Sequence, residues 1–170
     1  MRLGLRRVGL RGFAARVLRA GRRLETMPEA ELIEAARALR PRLIRQGLAE
    51  GAALVEAFAL ARELCHRRLG LRHHPNQIMA GRAMLQGALV ELATGEGKTI
   101  SALLPAVAAG LAGIPVHVMT VNDYLAARDA AHLRPVFEGF GLSVGLIQND
   151  SAPEERRAAY ACDVVYATAS

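Results

Sequence analysis

The run Glu91-Leu-Ala-Thr-Gly-Glu-Gly-Lys-Thr99 restricts this chain more than any other stretch. It lies between an apolar run at 88–92, suited to a short buried strand, and a helix-forming run from 98 to about 111. Strand, glycine-rich turn and helix together make the context in which backbone amides cradle a phosphate. The first turn of a helix leaves N–H groups unpaired and carries the positive end of the dipole. Gly95 and Gly97 remove the Cβ atoms that would keep a phosphate away, with Glu96 between them. Lys98 is placed to reach β- and γ-phosphates, and the Thr99 hydroxyl to sit on Mg²⁺. The general pattern G-x-x-x-x-G-K-[ST] is not fully met, because Leu92 stands where its first glycine belongs. The competing reading is a glycine-rich turn with an incidental Lys-Thr pair, and the flanking strand and helix weigh against it.

A chain of 170 residues can enclose one sizeable core, with a helical appendage. Its 52% hydrophobic and 22% charged content is that of an ordered globular protein. Trp is absent and aromatics are scarce, which argues against base-stacking platforms for single-stranded nucleic acid. Cys65 and Cys162 are too few and too distant to form a disulfide framework. No apolar run reaches the length of a membrane-spanning helix. The net charge is +6, yet residues 1–24 alone carry eight Arg and no acid. The remainder is slightly acidic, so the high pI gives no ground for a nucleic-acid groove in the body.

Leu3, Leu10, Val17 and Leu24 recur every seven residues, with Phe13 near the same face and most Arg elsewhere. This is a basic amphipathic helix, weakened by Gly4, Gly9, Gly12 and Gly21. It is a candidate contact for an anionic membrane surface or a partner protein; a transit peptide and a frayed solvated extension are the other options. Thr26 and Glu29 have capping-box spacing for a helix from about 27, which Pro41 should kink or end. A second helix is expected at about 52–69, with Gly70 just beyond it. Asn76 is the candidate cap of a short helix at 77–85. Cys65, His66, His73 and His74 raise a metal question, but their spacing matches no usual zinc pattern.

From residue 88 the pattern alternates. Strands are expected at 88–92, 116–121, 143–147 and 163–168. Helices are expected at 98–111, at 123–140 with a kink or break at Pro135, and at 153–160 with Ser151 and Glu154 as a capping box. Strands alternating with helices give a parallel sheet covered on both faces, with ligands beyond the strand C-termini. The expected fold is thus an α/β, P-loop (RecA- or helicase-like) sheet at 87–170, preceded by a basic segment at 1–25 and a helical region at 26–86. A P-loop hydrolase also needs an acid at a later strand end to hold Mg²⁺. Asp123 and Asp163 are isolated and poor candidates, so an incomplete domain, a piece of a longer chain, is expected.

Further runs join the loop in order: Leu69-Gly-Leu-Arg-His73 with Gln77 beyond it, and Thr120-Val-Asn-Asp-Tyr-Leu-Ala-Ala-Arg-Asp129. Together these resemble the N-terminal nucleotide-binding region of the SecA preprotein translocase ATPase family, over roughly residues 26–170. That family's loop does not begin with Gly either, so Leu92 agrees with the resemblance. The resemblance implies ATP and Mg as cofactors. It implies that Gln77 recognises adenine, its amide suiting the N6 and N7 edge, and that Gly95, Glu96, Gly97, Lys98 and Thr99 form the phosphate loop. It matches Arg128 and Asp129 to a motif coupling the site to the rest of the motor.

The family couples ATP hydrolysis to preprotein movement through a SecYEG-type translocon. A cytoplasmic location, peripheral on the inner membrane, and a homodimer of the full-length parent are implied as well. Nucleic acid is not an implied partner. The expected Mg²⁺ acid, catalytic base and arginine finger of the family are not found in the sequence, so little turnover is expected of this segment alone. The Arg-rich start and Pro41 depart from the family's usual pattern. The alternatives are a helicase-like nucleic-acid-dependent ATPase and a non-hydrolysing nucleotide-binding remnant.

Overall fold

The computed structural model describes residues 9–49 and 51–168. Leu3, Gly4 and the first three Arg lie outside them. Helix α1 (Leu10–Arg22) buries Phe13, Ala14, Val17 and Gly21 against α3 (Ala52–Leu69) and α4 (Pro75–Leu85). The glycines in α1 do not break it, because this face is fixed by packing rather than by intrinsic propensity. Phe13 meets Phe58 edge-on at 5.1 Å, and the Arg82 guanidinium lies 5.6 Å from the same ring. The apolar face of this basic amphipathic helix is therefore inside the protein. Arg11, Arg16, Arg19 and Arg22 remain exposed on the other side.

Helix α2 (Glu29–Gln46) runs through Pro41 without ending. An interior proline loses one ladder hydrogen bond and costs about 3 kcal/mol. Burial of Leu32, Ala36, Leu39 and Leu43 on one face offsets that cost. The Thr26 capping box does not form either, since Pro28 occupies the cap position and no side chain caps the helix. Helix α3 is the centre of the helical layer. It buries residues on all sides, Phe58, Leu60 and Leu64 among them, and packs against α1, α2, α5 (Lys98–Leu111) and α6 (Asp123–Gly139).

Helix α5 (Lys98–Leu111) and helix α6 (Asp123–Gly139) contain Pro105 and Pro135, and both continue past them. The Pro135 carbonyl is held by the Arg68 guanidinium at 2.7 Å. Gly81 lets α4 approach α5 closely: a Cβ there would stand 3.0 Å from Pro105 and 3.2 Å from Phe58. Strands β1 (Val116–Thr120), β2 (Val144–Leu146) and β3 (Val164–Thr168) form a parallel sheet in the order β1-β3-β2. Helix α7 (Pro153–Tyr160) packs on β2. Its start is capped by Glu155, which accepts from the Ala152 N–H at 2.9 Å, and not by a Ser151–Glu154 box. Ser151 instead accepts from the N–H of Gln148.

The alternation of helices and parallel strands is the expected α/β architecture. One expected strand is missing. Residues 88–94 are irregular, and Leu89 is 99% exposed. A strand is stable only where a neighbour fills its N–H and C=O groups, and none of the three described strands pairs with this segment.

Candidate functional site

The glycine-rich turn lies at the N-terminus of α5, with Gly97 as the cap residue in left-handed backbone. No acidic side chain occupies the first turn of α5, so the positive dipole end is not neutralised from within the helix. Ser101 closes that turn: its N–H and its hydroxyl both donate to the Gly97 carbonyl, at 3.0 and 2.9 Å. Lys98 is exposed, and its Nζ folds back to the Ala93 carbonyl at 3.1 Å. The Ala93 carbonyl is an uncharged, solvent-facing acceptor, and an anion in the turn would outcompete it.

Gln77 ties the turn to α4. Its Oε1 accepts from the His74 N–H at 2.9 Å, capping α4, and its Nε2 donates to the Glu96 carbonyl at 2.9 Å. Asn76 reinforces the tie by donating to the Glu96 carboxylate at 3.1 Å. The expected helix at 77–85 thus begins earlier, at Pro75, and the helix start is secured by Gln77 rather than by Asn76. Gly97 sits tightly under this tie: a Cβ there would come within 2.4 Å of Gln77 Nε2.

Gln77, Gly95, Glu96, Gly97 and Thr99 line one cavity of about 620 Å³. Lys98 lies beside it rather than in its wall. Arg72, His74 and Asn76 also line it, and were not singled out as site residues from the sequence. Arg72 belongs to the Leu69–His73 run, which is the one signal that could have found it. Its guanidinium pairs with Glu25 at 2.8 Å and with the buried Glu63 at 3.1 Å. The Thr99 hydroxyl donates to Asp129 at 3.2 Å, and Asp129 also pairs with its neighbour Arg128. No local pattern links Thr99 to Asp129, since the pairing depends on how α5 and α6 cross.

His73 supports the site from below. It is fully buried, and its Nε2 lies 2.6 Å from the Ile100 carbonyl, so Nε2 carries the proton. Its Nδ1 has no partner. Burial, with the positive charges of Arg62 and His74, outweighs the Ile100 hydrogen bond and lowers His73 to about 4. The unfolded chain therefore takes up this proton first. Stability should be highest above the ordinary His value of 6.5 and fall as pH drops from there to about 4. The loss is on the order of 3 kcal/mol. Urea unfolding at pH 7.5 and pH 4.5 checks this; His73→Gln should flatten the difference by most of that amount.

Cys65 is fully buried, with its thiol pushed up to about 12 by burial. Asp163 accepts from the Ser143 N–H and hydroxyl, both at 2.7 Å. Burial opposes its ionisation, but those bonds hold it below the usual carboxylate range. Asp123 accepts from Thr168 at 3.1 Å and from the Asn149 N–H at 2.8 Å, joining three strand ends. These two acids are engaged in tying the sheet together.

A three-stranded parallel sheet with packed helices, and a glycine-rich turn opening α5, is the arrangement of part of an α/β nucleotide-binding domain. The family model of the SecA DEAD-like domain matches residues 5–170, and the chain belongs to the SecA family. It is 52% identical over 162 residues to protein translocase subunit SecA 2 of Nitrosospira multiformis, covering 95% of this chain and 24% of that protein. It is 56% identical over 115 residues to protein translocase subunit SecA of Syntrophomonas wolfei, covering 68% of this chain and 14% of that protein. Against SecA of Synechococcus sp. the identity is 53% over 117 residues, or 69% and 12% of the two chains. The chain spans about a quarter or less of these relatives. The family match does not favour the nucleic-acid-dependent ATPase.

Proposed function

We propose that this chain supplies the phosphate cradle, and much of the ATP-binding wall, of a motor that couples ATP hydrolysis to the movement of preproteins across the cytoplasmic membrane through a SecY-type channel. The observation that carries the reading is the convergence of Gln77, Gly95, Glu96, Gly97 and Thr99 on one cavity at the start of α5. The tight seat of Gly97 and a helix N-terminus whose first turn carries no acidic side chain of its own fit a polyphosphate. Lys98 exchanges its bond to Ala93 for the phosphates. Gln77 reads adenine with the second Nε2 hydrogen and the second Oε1 lone pair, which its bonds to Glu96 and His74 leave available. Mg²⁺, when bound with the nucleotide, would neutralise phosphate charge. The Thr99 hydroxyl is the group in this chain that holds it.

The motor works in the cytoplasm and on the inner face of the membrane, with a SecYEG-type translocon and preproteins as partners, as a homodimer of the full-length parent. The exposed Arg side chains of α1 are its contact with anionic lipid.

The test is direct. Lys98→Ala should weaken binding of a fluorescent ATP analogue by roughly 10- to 100-fold, the effect of losing a charge-assisted hydrogen bond. Equal affinities would remove Lys98 from the site, and absence of binding by the unaltered chain would remove the reading itself.

A further inference from the structure

A threonine hydroxyl that ligates a cation must offer it a lone pair, and its single proton then has to point elsewhere. In this chain that proton has a fixed destination. Thr99 on α5 donates to Oδ2 of Asp129 on α6, 30 residues away in sequence. Asp129 is itself held. Its other oxygen, Oδ1, accepts from Arg128 Nε at 2.9 Å and from a terminal nitrogen of the same guanidinium at 2.7 Å. The carboxylate is 13% exposed, while the Arg128 guanidinium is 51% exposed. The helix that carries it is anchored on both sides of Asp129 by the buried Ala126 and Ala130. It is capped at its start by Asn122, which accepts from the Leu125 N–H at 2.9 Å. Asp129 also lies close enough to the buried Tyr166 that its charge adds to burial in raising the Tyr166 hydroxyl.

We propose that Asp129 is a positioning residue for nucleotide-linked Mg²⁺: it accepts the Thr99 proton and so keeps the lone pairs of that hydroxyl free for the cation. The proposal rests on the phosphate-loop reading above. It assigns Asp129 a role at the site itself, through Thr99, and makes Arg128 the group that orients the carboxylate. Groups that orient a metal ligand from behind are worth 10- to 100-fold in metal affinity. The effect should therefore be seen only when Mg²⁺ is present.

The experiment titrates a fluorescent ATP analogue against the full chain in excess Mg²⁺ and in excess EDTA. Two near-isosteric variants separate the hydrogen bond from packing: Asp129→Asn keeps an acceptor for Thr99, and Asp129→Leu removes it. In EDTA both should bind within about twofold of the unaltered chain, because no metal-dependent step is involved. In Mg²⁺, Asp129→Leu should lose about tenfold of the affinity gained from the metal, while Asp129→Asn keeps most of it. On a Thr99→Ala background, Asp129→Leu should cost nothing further. Equal losses in EDTA and Mg²⁺, equal behaviour of the Asn and Leu variants, or a full loss on the Thr99→Ala background would each overturn the proposal. Equal affinity of the unaltered chain in the two media would overturn it as well, while leaving the nucleotide reading intact. Absence of binding in both media would instead overturn that reading and this proposal with it.

Discussion

Alanine at Gly97 is expected to weaken binding of a fluorescent ATP analogue by roughly two orders of magnitude. Two effects combine. The backbone at Gly97 has φ +76°, where an L side chain costs about 1–2 kcal/mol. The added methyl would also sit 2.4 Å from Gln77 Nε2 and push that amide off the Glu96 carbonyl. Leaving that part-buried bond unmade costs about 1 kcal/mol more. Gly113→Ala is the control. It shares a left-handed backbone, at φ +74°, but nothing lies within 4 Å of the new methyl. It should lower stability slightly and leave the dissociation constant unchanged. An equal effect of the two substitutions on binding would show that the loop is not gripped by Gln77.

The second large effect is on stability. Phe58→Ala should cost about 3–5 kcal/mol in urea unfolding. Phe58 is fully buried and packs edge-on against Phe13, and its ring edge lies 3.2 Å from where a Cβ on Gly81 would stand. The cavity would open between α1, α3 and α4 at once. Domains of this size are stable by only about 5–15 kcal/mol, so the variant should be close to its folding limit at room temperature. A loss below about 1 kcal/mol would mean the site had collapsed around the gap.

The helices of the second half were legible because their apolar spacing, glycine stops and polar starts agree with one another. α5 spans Lys98–Leu111 and α7 spans Pro153–Tyr160, as the pattern implies. The prolines misled. Pro41 and Pro135 each lie in a helix whose far face is buried, and that burial outweighs a lost ladder bond. The caps misled for a related reason. Thr26, Asn76 and Ser151 have capping side chains, but Pro28, Pro75 and Pro153 preset the backbone at or beside the true starts. The apolar run at 88–92 has the composition of a strand, but composition cannot supply the neighbour that a strand requires.

At the site, the turn itself was readable, because its chemistry is local. Gln77 was singled out only through the family resemblance, as a residue for adenine. Its double engagement was not legible, since one partner is a backbone amide and the other a carbonyl, and neither leaves a mark on side-chain identity. The Thr99–Asp129 pair was hidden in the same way, because it is made by the crossing of two helices.

Helix α1 has a consequence for how the chain can be cut. Its Arg-rich composition invites treatment as a detachable tag, to be trimmed without disturbing the rest. Yet Phe13, Val17 and Leu24 belong to one continuous core with Phe58, Leu64 and Ile78. Removing the first 25 residues would strip one wall from the bundle that seats α4, and α4 carries Gln77. Such a truncation is a lesion in the interior, and any loss of binding that followed it would report on missing mortar rather than on a missing address label.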